Sequence, residues 1–388
     1  MSQLLYDLPP LSPDYSGVAS VFHDLGALTV IHDAAGCTGT YTGYDEPRWF
    51  GSSSPTFSSG LREIDAIIGD DEKLLGKITR ALEYTGAPCV TIIGSPVPMV
   101  IGFDFKGFAS LVEHRTGLPA FGFPATGLEY YDQGQRDAYI AIAKRLLNER
   151  PAKFERGVNI LGASALDDLD NAALDVLETL LGQAGLERRA VWGARSSQKE
   201  IVESGGAAVN WVISAAALPL ARYLKERFGA PFVAGLPIGA REWERIRLGL
   251  WAAAEGREPT QIFPPAADEP GEKKVLIVGE ALFASSLRAY LETEGGSGPV
   301  RIASFFTQGT ELFRPGDRLF ITEDDARRAF SGRNCERVIA DPLMEDLFPG
   351  EQSPRLIPLP HRAVSGRLYS ESRSRFFNAS PFQGSDAF

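Results

Sequence analysis

Short runs of apolar and β-branched residues alternate along the chain with longer stretches whose apolar positions fall three or four residues apart, the pattern of strands alternating with amphipathic helices. Leu28 to Ile31 is the first such run, too short for a helix and stopped by His32-Asp33 and a turn at Gly36. Cys37 therefore falls just past a strand end, where parallel-sheet proteins place reactive groups. Asp70 or Asp71 is suited to cap the next helix, in which Leu74, Ile78 and Leu82 share one face before a stop at Gly86. Val90 to Ile93 reads as a strand closing on Gly94-Ser95-Pro96, and Leu118 to Phe121 as another before the loop Gly122 to Gly127. Tyr139, Ile142, Ala143, Leu146 and Leu147 then give a helix to about Glu149.

The alternation restarts twice. Gly157 to Leu161 leads into a helix from Ala172 to Leu181, followed by strands at Arg189 to Trp192, Val209 to Ile213 and Pro231 to Val233, and helices at Leu218 to Phe228 and Ala240 to Glu255. After the Pro- and acid-rich segment Phe263 to Glu272, which reads as a linker, come the strand Val275 to Val278 and the helix Leu282 to Leu291. Strands at Val300 to Ser304, Arg318 to Ile321, Arg337 to Ile339 and Arg355 to Ile357 complete the series. The expected fold class is α/β: three Rossmann-like domains with parallel β-sheets flanked by helices, over residues 1–153, 154–270 and 271–388. The proline-rich residues 1 to 20 are expected to wrap over a surface or a partner. The last twenty, rich in Ser, Arg and Phe, are expected to form an extended arm on a neighbour.

A length of 388 residues accommodates this, at roughly 100 to 200 residues per domain. The net charge of −11 leaves no dense basic stripe to neutralise phosphates, so a nucleic-acid partner is not expected. Long apolar runs and a signal-peptide pattern at the N-terminus are both lacking, so the expectation is a cytoplasmic protein with no membrane association. The three cysteines, Cys37, Cys89 and Cys335, are far apart and form no CxxC knot; any metal ligands must be gathered by folding or from another chain. Cys89, at the start of the Val90 strand, reads as core, and Cys335 as an incidental loop residue. No GxxxxGK[ST] is present, and Gly279-Glu280-Ala281 is too short for a dinucleotide fingerprint.

His32-Asp33-Ala34-Ala35-Gly36-Cys37, then Ser59-Gly60-Leu61, then Ile67 to Leu74, then Gly94-Ser95-Pro96 and Pro119 to Gly127, form an ordered set. This set resembles the component 1 subunits of nitrogenase and of nitrogenase-like reductases, including the dark-operative protochlorophyllide reductases. The resemblance implies that Cys37, on the turn made by Gly36 and with Ser59 as a hydroxyl neighbour, supplies one ligand to an iron–sulfur cluster. That cluster is expected to be a [4Fe–4S] cluster shared between subunits, because the stretch at Phe121 to Pro124 carries no further thiol. The resemblance also implies two partners, a homologous component 1 subunit and an ATP-dependent iron protein, and reduction of a small-molecule substrate between the domains.

Ser214 stands where the family can place a cofactor-holding cysteine, so an iron–molybdenum cofactor of the nitrogenase type is not expected. His361 lies near the family's cofactor histidine and is a candidate substrate or cofactor contact, with a plain loop role as the alternative. The loop Tyr41 to Phe50 is either an ordinary tight loop or the wall of a cavity lined by Tyr44, Asp45, Arg48 and Trp49, with Asp45 or Glu46 a candidate proton donor. His32 is expected to be a strand-end hydrogen bonder and His114 exposed. Two other roles stay open: a scaffold subunit on which a cofactor is assembled, and a non-catalytic structural partner of a cysteine-richer homologue.

Overall fold

The computed structural model describes residues 5–51, 54–148, 151–256, 274–331, 335–350 and 353–377. It contains three sheets, each wholly parallel and each flanked by helices. The first has strands β1 (Leu28–Ile31), β2 (Thr56–Ser58), β3 (Val90–Ile93) and β4 (Ala120–Phe123), in the order β2-β1-β3-β4. The second has β5 (Phe154–Leu161), β6 (Glu187–Trp192), β7 (Ala207–Val212) and β8 (Phe232–Ala234), in the order β6-β5-β7-β8. The third has β9 (Val275–Val278), β10 (Val300–Ser304), β11 (Arg318–Leu319), β12 (Arg337–Ala340) and β13 (Arg355–Pro358), in the order β11-β10-β9-β12-β13.

In each sheet the first strand of the unit is central, and the chain then builds outwards to either side. The reversal places a crevice at the carboxyl ends of the strands, where ligands bind in such sheets. The internal strands β1, β7 and β9 are buried at every residue, which is why they read as largely apolar runs. The Asp71–Thr85 helix starts as its sequence dictates: Asp70 accepts the Lys73 N–H at 3.0 Å, and Gly86 ends it in the left-handed region. β4 begins two residues later than the apolar run suggests, because Pro119 has no N–H to give; its carbonyl instead accepts from Val90.

The N-terminal segment departs from expectation in part. Residues 14–23 are not part of an extended wrap but an α-helix with all ten residues buried. A helix covered on every side carries no polar face, so no periodic signal marks it. Glycine makes the burial possible: a Cβ on Gly17 would overlap the Tyr131 carbonyl, and one on Gly134 the Asp14 carbonyl, so the Asp14–His23 and Tyr131–Leu146 helices touch backbone to backbone. The residues before it pack on the third unit, where the Glu323 carboxylate accepts the N–H groups of Tyr6, Asp7 and Leu8 at 2.8 to 3.0 Å.

The described part of the C-terminal segment makes contacts with the third and the middle units of this chain. Phe376 packs edge-on against Phe283 at 5.3 Å, and Phe377 bridges to Ile238. The expected linker Phe263 to Glu272 lies outside the described residues. Among the described residues no helix is long and apolar enough to cross a membrane.

Candidate functional site

Two places at carboxyl strand ends gather chemistry. The first follows β1. Ala35 enters the turn at φ 102°, an uncommon conformation for a residue with a side chain, and Gly36–Thr40 then makes a short helical turn that carries Cys37. Asp33 holds this turn, accepting the Thr38 N–H at 2.8 Å, the Thr38 hydroxyl at 3.1 Å and the Ser58 hydroxyl at 2.5 Å. Ser59 is buried behind it, hydrogen-bonded to His32 Nδ1 at 2.8 Å and to the Asp33 backbone. Burial pushes the His32 imidazole down to about 4, so it is neutral at pH 7 and serves as the strand-end hydrogen bonder expected of it.

Cys37 itself is half-buried, with the hydroxyls of Tyr15 and Ser95 as hydrogen-bonding neighbours. Partial burial pushes its thiol up, and Asp33 adds to this. Such a thiol is protonated near neutrality and a poor nucleophile; it becomes a thiolate only when a cation such as a metal ion arrives. Cys89 is buried, as expected for a core residue; Cys335, read from sequence as an incidental loop residue, is buried as well, and His114 is exposed. Gly36 faces open space, with no atom within 4 Å of where a Cβ would stand. At the same sheet end, the Glu63–Ile68 helix and the residues after β3 expose Ile64, Ile67, Ile68, Val97 and Val100, the last at 87%. Apolar surface of this extent at one end of a sheet marks a contact surface.

Asp45 is buried and accepts the hydroxyls of Ser12 at 2.8 Å and Ser16 at 2.5 Å. Desolvation raises its pKa against those two bonds. Tyr44 points outwards, 62% exposed. Glu46 is fully buried and grips Arg48 through both carboxylate oxygens at 2.8 Å. Burial alone would raise the Glu46 carboxyl, but Arg48 overrides it and holds the carboxyl below its usual range.

The second place is where the carboxyl ends of the second and third sheets meet. The loop after β5 brings Asp167, the loop after β7 brings Ser214 and Ala215, β9 leads into Glu280, β10 into Phe306 and β13 into His361; Tyr131 enters from the first unit. His361 is buried, lies ring on ring against Phe306 at 5.3 Å and places Nε2 3.7 Å from Asp167 Oδ1. Tyr131 donates its hydroxyl to the same oxygen. Neither ring nitrogen of His361, nor Asp167 Oδ2, nor the Ser214 hydroxyl has a hydrogen-bond partner. Buried polar atoms are nearly always paired, so a cluster of unpaired ones marks a place for a bound molecule or water. The cluster contains no thiol. A cleft of about 460 Å³ opens beside it at the sequence neighbours Asp168 and Arg362, lined by residues of all three units that include Arg48 and Asn171 but not Asp167, Ser214, Glu280 or His361.

Of the residues singled out from sequence, the fold brings Gly36, Cys37 and Ser59 together at the first place, with Asp45 one residue removed: Tyr15 feels both Cys37 and Asp45. His361 belongs to the second. Sequence reading missed Asp167, Glu280 and Tyr131.

Glu280 gives the junction a pH signature. Burial, with Asp167 adding, pushes its carboxyl up to about 8. An acid raised on folding binds its proton more tightly in the native state, so stability is highest at acid pH and falls as pH rises from the ordinary carboxylate range through about 8. Asp132, pushed up to about 6 by burial, acts in the same direction over a lower window. Urea unfolding should give a wild-type midpoint that drops between about pH 5 and pH 9, with a smaller drop in Glu280→Gln. Equal drops in the two proteins would assign the dependence elsewhere.

Three parallel sheets with these two places at their carboxyl ends define an α/β protein of the component 1 type. The chain belongs to the nitrogenase component 1 type oxidoreductase family, whose model matches residues 14–314. It is 26% identical over 230 residues to the nitrogenase iron-molybdenum cofactor biosynthesis protein NifE of Klebsiella pneumoniae, covering 55% of this chain and 49% of that one. It is 24% identical over 260 residues to NifE of Methanosarcina barkeri, covering 62% and 54%. The chain thus spans about half the length of these curated relatives. Among solved structures, nitrogenase Cp1 at pH 6.5 superposes with a TM-score of 0.70 at 12% identity, covering 98% of this chain and 92% of that one, a likeness of fold.

Proposed function

We propose that the chain is one subunit of a nitrogenase-like reductase in which Cys37 gives a single thiolate to an iron–sulfur cluster completed by a second, homologous subunit. The observation that carries this is the placement of the cysteines: Cys37 alone of the three is accessible, and it stands at the sheet end that exposes a row of aliphatic side chains. The donor set fits one ligand and no more. When bound, such a cluster stores and passes single electrons at low potential. Electrons would come from an ATP-dependent iron protein, since this chain has no phosphate-binding loop of its own.

Around Cys37 the chain's residues fix geometry. Asp33 anchors the turn, Tyr15 and Ser95 offer hydroxyls to the sulfur, and neutral His32 braces Ser59 behind it. The substrate would sit at the junction against His361, beside the cleft between the three units. There the unpaired donors and acceptors would orient a polar organic molecule, and the surrounding apolar core would exclude water.

A second reading is supported by the relatives, which are named for cofactor biosynthesis. In it the chain is a scaffold and the junction holds cargo. One experiment separates the two. The anaerobically purified complex is mixed with an ATP-dependent iron protein and reductant. The reductase reading expects ATP-dependent consumption of reductant over many turnovers. A complex that consumes none and releases a metallocluster or tetrapyrrole to an acceptor protein is a scaffold.

A further inference from the structure

The third sheet carries a cavity of its own, away from the junction. Register sets Arg301 of β10 beside Leu276 of β9, and Arg318 of β11 beside Ala303 of β10. Neighbours in register share a face, as do residues two apart on a strand, so Arg301 and Arg318 lie on the same face of the sheet. Strand spacing and rise put their Cα atoms about 8 Å apart. The Glu323–Phe330 helix packs on this face, its Phe330 meeting Phe320 edge-on at 6.2 Å. The last turn of that helix adds Arg328, and Ser331 follows it. Between sheet and helix lies a cavity of about 140 Å³, walled by the three arginines, Ser331 and Cys335, with Leu276 as apolar floor. It sits toward the amino ends of the strands, whereas the junction lies at carboxyl ends.

The lining is cationic. No Asp or Glu is among the described residues that wall the cavity, in a chain whose net charge is −11. Asp317, next to Arg318 in sequence, is turned away: it accepts the Ile302 N–H at 2.8 Å and pairs with Arg288 at 2.5 Å. Arg318 is exposed, and its guanidinium makes no ion pair or hydrogen bond among the described residues. Arg328 stands at the rim, 67% exposed, and pairs with Asp325 at 2.6 Å. Cys335 stays a neutral thiol, because burial pushes it up, and it donates to the Arg337 carbonyl at 3.6 Å. The last carbonyls of the helix, which would repel an anion, are occupied. The Arg327 carbonyl accepts the Ser331 N–H at 2.9 Å, and the Arg328 carbonyl accepts the Ser331 hydroxyl at 3.2 Å.

Three guanidiniums around one cavity repel one another, and an anion between them turns that repulsion into attraction. Their planar forks match the oxygens of a phosphate two at a time. Against the roughly 30 Å³ that one water takes in the liquid, the cavity has room for one tetrahedral oxyanion and leaves the body of any ester outside. We propose that this cavity is a binding site for phosphate, as the free ion or as the phosphate group of a small ester, gripped by Arg301, Arg318 and Arg328. The site is separate from Cys37 and from the junction, and it does not depend on the reductase reading.

Arg318→Gln is the decisive variant, because it removes an exposed side chain and breaks no internal contact. Equilibrium dialysis of the full chain against ³²P-labelled inorganic phosphate, with chloride holding ionic strength constant, measures the binding. The proposal expects saturable binding in wild type, weakened about ten- to hundredfold in Arg318→Gln through loss of one charge-assisted partner. Arg301→Gln should act in the same direction. Arg247→Gln removes an equal charge from an exposed pair with Glu244 on the Gly239–Ala254 helix and should leave binding unchanged. Far-UV circular dichroism should be the same for all four proteins. Competition with AMP then names the source: a label displaced by AMP supports the site with an ester as occupant, and one that AMP leaves in place supports it with the free ion. Absence of saturable binding in wild type overturns the proposal, as does binding that survives intact in Arg318→Gln or that Arg247→Gln weakens as much.

Discussion

Arg48→Met should cost about 3 to 5 kcal/mol of stability, the range for stripping one partner from a buried ion pair. Glu46 is wholly enclosed, and without the guanidinium it keeps the Tyr41 hydroxyl at 3.3 Å, the Arg48 backbone N–H at 2.9 Å and the nearby His23. Arg48 also ties the loop to its surroundings, donating to the Ser20 carbonyl at 2.8 Å and the Gly193 carbonyl at 3.3 Å and pairing with Asp24 at 3.2 Å. The sign of the pH dependence follows. Glu46 is now held below its ordinary range and so supports the fold at neutral pH; with the cation gone, burial acts alone and raises it. The deficit of Arg48→Met should thus be larger near pH 8 than near pH 5. Urea unfolding of Arg48→Met, Glu46→Gln and the double variant checks this. The double variant should recover much of the loss, because the uncompensated charge is then absent. A double variant as unstable as the sum of the singles would show that Arg48 acts through its backbone ties instead. Because Arg48 also lines the cleft, the same substitution should loosen that cleft's wall.

The parts of this molecule legible in sequence are those whose causes are local. β1, its stop at His32-Asp33, the Asp70 cap and the Gly86 exit each follow from a few adjacent residues, and the three parallel sheets follow from repeating those units. The Asp14–His23 helix was not legible, because burial on all sides erases the amphipathic period and Gly17 lowers helix propensity while permitting the close crossing. β2 was missed for brevity: three residues at a sheet edge look like loop.

The junction was hidden for another reason. Tyr131, Asp167, Glu280 and His361 come from loops and helix ends far apart in the chain, and no spacing rule joins them. A signal did exist. Glu280 directly follows the apolar run Val275 to Gly279, and Asp167 comes six residues after Leu161, so both stand just past strand carboxyl ends. Weighing Gly279-Glu280 only as a dinucleotide fingerprint passed over that placement. Ser214 shows how sequence and structure meet: the residue after the Val209 to Ile213 run is a buried hydroxyl without a partner, in a cluster without sulfur. In the proposed reading the sulfur ligand is therefore Cys37, at the end of the first sheet.

The reductase reading stands or falls on that one thiol. Cys37→Ala removes a half-exposed side chain from a turn held by Asp33, so folding should be little changed while metal binding is abolished. The direct measurement is iron and acid-labile sulfide content, with EPR of the reduced state, on the complex expressed with its partner chain and purified without oxygen, for wild type and Cys37→Ala. The account predicts a cluster signal in wild type that is lost in the variant. A wild-type complex free of iron, or a cluster that survives the loss of Cys37, would contradict it.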